Sequence, residues 1–343
     1  MAHTLSIKIA ILLEGAPDAP ESGFAAMPPA MIVLHGAENV PAHACGAAIA
    51  IGNFDGVHRG HQALLSAVKE AAAKTGSLAG VMLFEPHPRE LFQPDKPHFR
   101  LTPLPRKLEL LQSFGVDLAI VLKFDAALAG LPAEAFIGRV LVAKLAVSHV
   151  VVGYDFHFGK GRTGDPAMLR EAGARHGFGV TVVAQVADAG EVFSSSAVRA
   201  ELGQGDVQGA AEMLGHWWQV SGTVTGGAKR GTGLGFPTAN IALASGTALA
   251  HGIYAVRVLI DGASYPGAAY LGTRPTFDDG APTLEVFLLD FDGDLYGRDI
   301  AVEFIAHIRD DLRFDGIEAL KAQMQADCDR ARTILADAPK HPN

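Results

Sequence analysis

The stretch GNFDGVHRGHQALL, residues 52–65, decides how the first half of the chain is read. It links an apolar run, AAIAIGNF (47–54), to a segment with helical periodicity, HQALLSAVKEAAAK (61–74). The first reads as a buried strand. The second reads as a helix with Leu64, Leu65, Val68 and Ala72 on one face. Two imidazoles, His58 and His61, stand three residues apart where strand gives way to helix. On a helix that spacing puts both on one face. They can hold a metal, grip a phosphate, or cap and pack. Zinc commonly uses an i, i+4 pair with a glutamate, and that pattern is absent here. A helix start offers free N–H groups and a positive dipole end to an anion. Two imidazole donors there would stabilise charge developing on a phosphate. On spacing alone the phosphate role and the capping-and-packing role stand even.

Outward from this stretch, strands and helices alternate. LAGVMLF (78–84), DLAIVLKF (117–124), VSHVVVG (147–153) and FGVTVVAQV (178–186) read as strands. TPLPRKLELLQSFG (102–115) reads as a helix capped by Thr102, with Pro103 in its first turn and Gly115 at its end. AEAFIGRVLVAKL (133–145) and PAMLREAGARHG (166–177) are further helices. The rhythm predicts an α/β fold: a parallel sheet covered on both faces, with ligand at the carboxyl ends of its strands.

After about residue 215 the pattern changes. VSGTVTG, GIYAVRVLID, GASYPGAAYLG, PTLEVFLLDFD and RDIAVEFIAHI are short runs between Gly and Asp turns. They predict a small antiparallel β-barrel. A C-terminal helix follows from Ile317 to about Leu335. Asp315 and Glu318 have capping-box spacing, and Ile317, Leu320, Met324 and Cys328 form its apolar stripe. The joint RAELGQGDVQGAAEMLGHWWQ (199–219) reads as helical, so the halves are expected to pack firmly, with Trp217 and Trp218 at their interface.

A chain of 343 residues fits two domains. No stretch approaches the ~20 apolar residues of a membrane span. A net charge of −9 without a basic run argues against nucleic-acid binding. The two cysteines, Cys45 and Cys328, cannot build a disulfide scaffold or a Cys-based zinc site, which suits a cytoplasmic setting. Residues 1–30, with a short apolar run and then a Pro/Ala/Gly tract, read as a disordered extension or an early translation start, with Met31 as the working start.

GNFDGVHRGHQ resembles the HxGH signature of the nucleotidyltransferase superfamily. In its longer form it resembles the adenylyltransferase module of prokaryotic bifunctional riboflavin kinase/FAD synthetases. The resemblance continues in order through FEPHPRELF (84–92), VVGYDFHFGKGRTGD (151–165), FSSSAVRAELGQGDVQGAAEMLG (193–215), GAKRGTGLGFPTANI (227–241), GTRPTF (272–277) and LEVFLLDFDGDLYG (284–297). It implies a Rossmann-like nucleotidyltransferase domain over 31–203 and a riboflavin kinase-like barrel over 204–338. The implied activities are phosphorylation of riboflavin to FMN and adenylylation of FMN to FAD. ATP, riboflavin, FMN and FAD are then substrates or products, and Mg²⁺ is the cofactor. The partners implied are small molecules alone, with the chain a monomer or weak homo-oligomer.

The resemblance also implies roles. His58 and His61 hold the ATP phosphates, while Gly52, Asn53, Phe54 and Asp55 shape the nucleotide turn. Ser194, Ser195 and Ser196 start a helix facing pyrophosphate, and Arg199 supplies a positive fork. Asp155 contacts flavin or ribose. His87, Arg89 and His157 are further possible contacts, with a Pro-bounded loop and a surface histidine as the alternatives. In the second module Thr238 and Asn240 offer oxygen to Mg²⁺, and Pro237 fixes their entry. Lys229, Arg230 and Gly235 belong to a glycine loop over the phosphates. Glu285, in the strand TLEVFLL, is the general base. Gly226, Thr232 and Tyr270 stand where histidine, arginine and asparagine are common. Two rivals follow: a monofunctional FAD synthetase with a weakened kinase module, and a non-catalytic flavin-binding regulator.

Overall fold

The computed structural model describes residues 30–188, 191–225, 237–244, 246–273 and 282–342. The expectation for the N-terminal extension therefore lies outside the described residues, apart from Ala30.

The first lobe runs β1 (Ile32–His35), β2 (Ala48–Ile51), α1 (Arg59–Thr75), β3 (Ala79–Glu85), α2 (Pro88–Phe92), α3 (Leu104–Ser113), β4 (Leu118–Lys123), α4 (Ala126–Ala129) and α5 (Ala133–Phe136). The last continues in wider π-type turns over Ile137–Lys144. Then come β5 (His149–Gly153), α6 (Pro166–His176), β6 (Gly179–Val183) and a small hairpin, β7 (Ala187–Asp188) with β8 (Glu191–Val192). The large sheet is parallel throughout, in the order β1-β4-β3-β2-β5-β6. From β2 the chain first builds outward through β3, then crosses back to place β5 on the other side. The carboxyl end of β2 is thus the topological switch point, where open α/β sheets bind ligands.

Each central strand is buried on both faces, as the unbroken apolar runs predict. Ile49 and Ile51 of β2 face one core with Met82 and Ile120. Ala48 and Ala50 face the other with Val81, Leu83 and the α1 residues Leu65 and Val68.

Two helices, α7 (Ser195–Gln204) and α8 (Val207–Leu214), form the joint. The second lobe is a six-stranded antiparallel sheet in the order β10-β13-β12-β11-β14-β9. Its strands are β9 (Gln219–Thr223), β10 (Ala239–Ala242), β11 (Gly252–Ile260), β12 (Ala263–Thr273), β13 (Pro282–Leu288) and β14 (Asp299–Arg309). Its edges meet where the Thr225 N–H donates to the Asn240 carbonyl (2.9 Å), which closes the barrel. Period-two alternation sends Tyr254, Val256 and Val258 of β11, and Leu284, Val286 and Leu288 of β13, inward. The C-terminal helix, Ile317–Asp337, covers part of the outer face through Cys328 and Ala331 against Ala255 and Ala268.

Four local expectations are corrected. The strand expected over 47–54 stops at Ile51, because Phe54 and Val57 turn into the left-handed region. Thr102 does not cap α3. Pro103 holds that position, and the Thr102 hydroxyl instead accepts the Gly56 N–H at 2.9 Å. No side-chain cap starts the C-terminal helix, whose first flanking residue is Gly316 rather than Asp315. Ile317 is exposed, so the apolar stripe begins further along. The edge strand β1, paired with Leu118–Val121, and the single-turn α2 were not anticipated.

The joint packs as expected except at Trp217, which lies against Ala211 and Ile305 within the second lobe rather than between the lobes. The barrel core continues through Val198, Leu202, Ala210 and Leu214 of α7 and α8 to Phe99 and Leu101 of the first lobe. Trp218 sits at the seam. Its ring meets Phe99 edge-on at 5.7 Å and Phe304 of β14 at 5.1 Å. One apolar cluster therefore serves both lobes, and the lobes are expected to unfold together. Leu202→Ala should cost about 2–5 kcal/mol. In urea, tryptophan fluorescence and far-ultraviolet circular dichroism should report one coincident transition, shifted down as a unit. Two separated transitions would show that the seam carries no coupling.

Candidate active sites

Beyond β2 the backbone enters a strained turn. Phe54, Gly56 and Val57 all have positive φ (51°, 87° and 44°). Such a turn persists only where its surroundings hold it. Its anchor is Asp55, a buried carboxylate. Asp55 accepts the Leu101 N–H (3.2 Å), the Thr102 N–H (3.0 Å) and a guanidinium N–H of Arg199. The Ser195 hydroxyl donates to the Asp55 carbonyl (2.8 Å). Asp55 is thus the clamp of the turn.

The turn delivers His58 and His61 to the start of α1. His58 is the N-cap residue rather than a helical one, and its Nδ1 accepts the His61 N–H at 3.3 Å. The two rings stack at 3.7 Å. Gly60 between them is tightly enclosed, since a Cβ there would lie 3.0 Å from the His58 ring and from the Phe193 carbonyl. His61 Nδ1 and Asn53 Oδ1 are buried without a hydrogen-bond partner. Unmet buried polar atoms are uncommon and are open to a water, an ion or a ligand.

Both imidazoles are neutral near pH 7. Burial pulls His58 down from 6.5 to about 4, with Asp55 opposing and Arg199 assisting. His61 is lowered well below 6.5 by burial, then by His58 and Lys107. A second pair, His87 and His98, has ring centroids 4.3 Å apart. Burial takes His87 to about 4, and His98 is also lowered by burial and by Arg199. His87 was anticipated, with its Nδ1 accepting the Arg89 N–H (3.2 Å), whereas Arg89 itself is exposed.

Of the three serines, Ser194 caps α7 by accepting the Ala197 N–H (3.1 Å), Ser195 holds Asp55, and Ser196 is exposed on the first turn. Arg199 donates to the Phe99 carbonyl (2.6 Å), to the Ser195 carbonyl (3.1 Å) and to Asp55. Gly52 leaves β2 with its N–H on the Met82 carbonyl (3.1 Å), and the Phe54 ring lies over it. Asp155 is exposed at the end of β5, beside β2, with His157 exposed nearby.

Sequence reading missed Lys107, buried and 3.1 Å from Glu85, and Arg100, which reaches Glu85 at 2.8 Å. It missed His98 as well. The available signal was density: His98, Arg100, Arg106 and Lys107 fall within ten residues of an acidic chain.

The second candidate site lies on the barrel's outer face. Asn240 of β10 is the direct cross-strand partner of Glu285 in β13, and Glu285 is the direct partner of Tyr270 in β12. Directly opposed residues in antiparallel strands share a face, so the three stand in one row. Asn240 is buried, and its amide donates to the Thr238 carbonyl at 3.4 Å. Thr238 and Glu285 are half-buried, while Pro237 is exposed at the entry to β10. Tyr270 lies over Gly272, where any Cβ would collide with its ring. Lys229, Arg230, Gly235, Gly226 and Thr232 lie outside the described residues.

Comparison with known proteins matches residues 40–197 to the FAD synthetase family and residues 214–335 to the riboflavin kinase family. The bifunctional riboflavin kinase/FMN adenylyltransferase of Escherichia coli K12 is 43% identical over 295 residues, 86% of this chain and 94% of that protein. The chain belongs to the bifunctional riboflavin kinase/FMN adenylyltransferase family. The Pseudomonas fluorescens member is 42% identical and covers 89% of this chain and 98% of its own. The Bacillus subtilis member is 35% identical over 85% and 93%. A crystal structure described as a macrolide-efflux protein from Streptococcus pneumoniae aligns with a TM-score of 0.77 at 27% identity, over 88% of this chain and 99% of that one. That likeness concerns the fold, and the activity in its description stays with that protein. Among the described residues, no helix is long and apolar enough to cross a membrane.

The lowered His58 has a consequence for stability. Its folded value lies below its ordinary 6.5, so its contribution is complete above pH 6.5. As pH falls towards 4 the unfolded chain binds a proton that the folded one refuses, and about 3 kcal/mol is lost. The urea midpoint should fall between pH 6.5 and pH 4. His58→Asn, which keeps an N-cap acceptor, should flatten that fall. An equally steep fall in the variant would place the acid sensitivity elsewhere.

Proposed function

We infer that this chain phosphorylates riboflavin to FMN in its C-terminal module and adenylylates FMN to FAD in its N-terminal module, using ATP in both steps. We assign residues 31–203 to the adenylyltransferase and 204–338 to the kinase, a division supported by the family matches on either side.

In adenylyl transfer a phosphate oxygen of FMN attacks the α-phosphorus of ATP and pyrophosphate leaves. The chemistry needs alignment and donors aimed at the phosphate oxygens. His58 spends Nδ1 on its cap, which leaves its Nε2–H as donor, and the unmet Nδ1 of His61 marks the second imidazole position. With Ser194 committed to the α7 cap and Ser195 to the turn, Ser196 is the serine that can reach the leaving pyrophosphate. Arg199 holds Asp55 and lends positive charge to the same end of the sheet. Gly52, Asn53 and Phe54 form the wall of the nucleotide turn, and Asp155 contributes a flavin or ribose contact from the neighbouring strand end.

In the kinase, Glu285 takes the proton of the ribityl hydroxyl as it attacks the γ-phosphorus of ATP. The observation that carries this assignment is the register of Asn240 against Glu285, which sets an oxygen-bearing amide beside a carboxylate on one face. Hard oxygen donors suit Mg²⁺; Thr238 and Asn240 would hold it, and when bound it offsets phosphate charge. Pro237 fixes the approach to Thr238, and Lys229, Arg230 and Gly235 are assigned to the phosphate loop. The chain acts on small molecules in the cytoplasm as a monomer or weak homo-oligomer, without nucleic acid or membrane. Free thiols at Cys45 and Cys328 and a net charge of −9 support the setting and the lack of a nucleic-acid partner.

Incubation with riboflavin and Mg-ATP, followed by chromatography of the flavins, tests the assignment. The wild type should yield FMN and then FAD. Glu285→Gln should slow FMN formation by about 10²–10⁴-fold while still converting added FMN to FAD. His61→Ala should slow FAD formation by about 10²–10³-fold and leave FMN formation intact. Both products falling together in folded variants would refute the division of labour.

A further inference from the structure

The turn that carries the imidazole pair is held partly from outside its own module. Three contacts reach it from residues 214–218, inside the stretch matched to the riboflavin kinase family. The Gln62 side-chain N–H donates both to the Val57 carbonyl (2.9 Å) and to the Leu214 carbonyl (2.6 Å). His216 Nε2 lies 3.0 Å from the Gly56 carbonyl. The Trp218 indole N–H donates to the Leu101 carbonyl (3.1 Å), and the N–H of that same Leu101 binds Asp55. On the far side these residues are fixed to the barrel. The Trp218 carbonyl accepts the Phe304 N–H (3.0 Å), its ring packs on Phe304, and the next residue, Gln219, opens β9 in register with Glu303.

Gly56 is the point where this support matters. Its φ is +87° and it stands between Phe54 and Val57, which also have positive φ. Its N–H is fixed by the Thr102 hydroxyl and its carbonyl by His216, so both peptide planes at Gly56 are set from outside the turn. His58 follows two residues later. A carbonyl facing a ring nitrogen accepts, and both ring nitrogens of His216 face one, so the tautomer protonated at Nε2 is the one that holds Gly56. Nδ1 faces the Trp217 carbonyl at a slightly longer 3.1 Å. His216 is buried, and burial lowers its proton affinity, so the ring is neutral with a single N–H, which in the Nε2 tautomer serves Gly56. Without that donor the Gly56 carbonyl would be left buried and unpaired, and the glycine is free to rotate it away.

We propose that His216 is a positioning residue for adenylyl transfer to FMN: braced by the kinase barrel, it fixes the Gly56 carbonyl and through it the placement of His58 and His61. Trp218 acts in the same direction through Leu101 and Asp55. The proposal rests on the functional reading given above and extends it, because it gives the kinase module a structural part in the other module's chemistry. It also explains why the joint is short and packed rather than a tether.

The test measures both activities of the full chain. A displacement of about 1 Å at a reacting group costs on the order of 10²-fold in rate. His216→Leu should therefore lower kcat for FAD formation from FMN by about 10–100-fold, with little change in KM for ATP. Riboflavin phosphorylation, which does not use the turn, should stay within about twofold and serves as the control for folding. His216→Gln restores a side-chain N–H donor and should recover most of the lost rate. Trp218→Phe keeps the ring packing, removes only the indole N–H, and should slow FAD formation by about 3–10-fold with the kinase unaffected. FAD formation unchanged in His216→Leu would overturn the proposal, as would equal loss of both activities in His216→Leu and Trp218→Phe. A wild-type chain unable to make FAD from FMN would instead remove the functional reading, and the proposal with it.

Discussion

The adenylyltransferase module depends on one buried carboxylate. Removing a charge from water costs several kcal/mol, and a single partner rarely offsets it. Asp55 is satisfied from several sides, by the Leu101 and Thr102 N–H groups, the Thr102 hydroxyl and the Arg199 guanidinium. Those donors come from two places, the segment before α3 and the first turns of α7, and they meet on the turn after β2. The carboxylate therefore joins distant parts of the chain at the switch point of the sheet. With that junction in place, the backbone can keep non-glycine residues at positive φ, at a cost of order 1–3 kcal/mol each, and so present His58 and His61 at one helix tip.

The imidazoles around this junction are neutral, and burial is the first cause for each of them. A neutral imidazole held in place is a dipolar donor of fixed direction, which suits the adenylyl-transfer role proposed for His58 and His61. Net positive charge comes from other groups. Lys107 and Arg100 are held by Glu85, and Arg199 by Asp55. Each cation is thus ordered by an acid behind it. A chain with a net charge of −9 attracts a polyphosphate only where such cations are gathered.

The candidate site on the barrel is organised by a different geometry. No helix tip is involved; the antiparallel register aligns Asn240, Glu285 and Tyr270 across three strands. Their strand neighbours Ile241, Leu284, Val286 and Leu271 fill the barrel. A slip of one residue would bury the polar row and expose the core, so the packing that makes the barrel also sets the site. Period-two alternation alone marks Glu285 of TLEVFLL only as a glutamate on a half-wet strand face; the family resemblance is what singled it out.

Where function follows local periodicity, the sequence was legible. The parallel and antiparallel halves, the helical joint and the placing of the imidazole pair at a strand-to-helix junction follow from patterns within a few residues, whereas the pairing of Asn240 with Glu285 needed the structure. The misses share a cause. Thr102 has the chemistry of a helix cap, yet its hydroxyl serves Gly56, 46 residues away in sequence. Arg199 reaches Asp55 across 144 residues, and Trp218 reaches Leu101 across 117. His98 and Lys107 enter the site only because the segment leading into α3 crosses the end of β3. Rules for caps and amphipathic faces weigh neighbours along the chain, and at each of these positions a tertiary partner outweighs them. The boundary between modules behaves the same way. Family likeness breaks between residues 197 and 214, but the apolar core runs unbroken from Phe99 through Leu202 and Trp218 to Phe304. In packing terms residues 214–218 belong to both lobes, and a histidine in that stretch can act on chemistry that its sequence neighbourhood assigns to the other lobe.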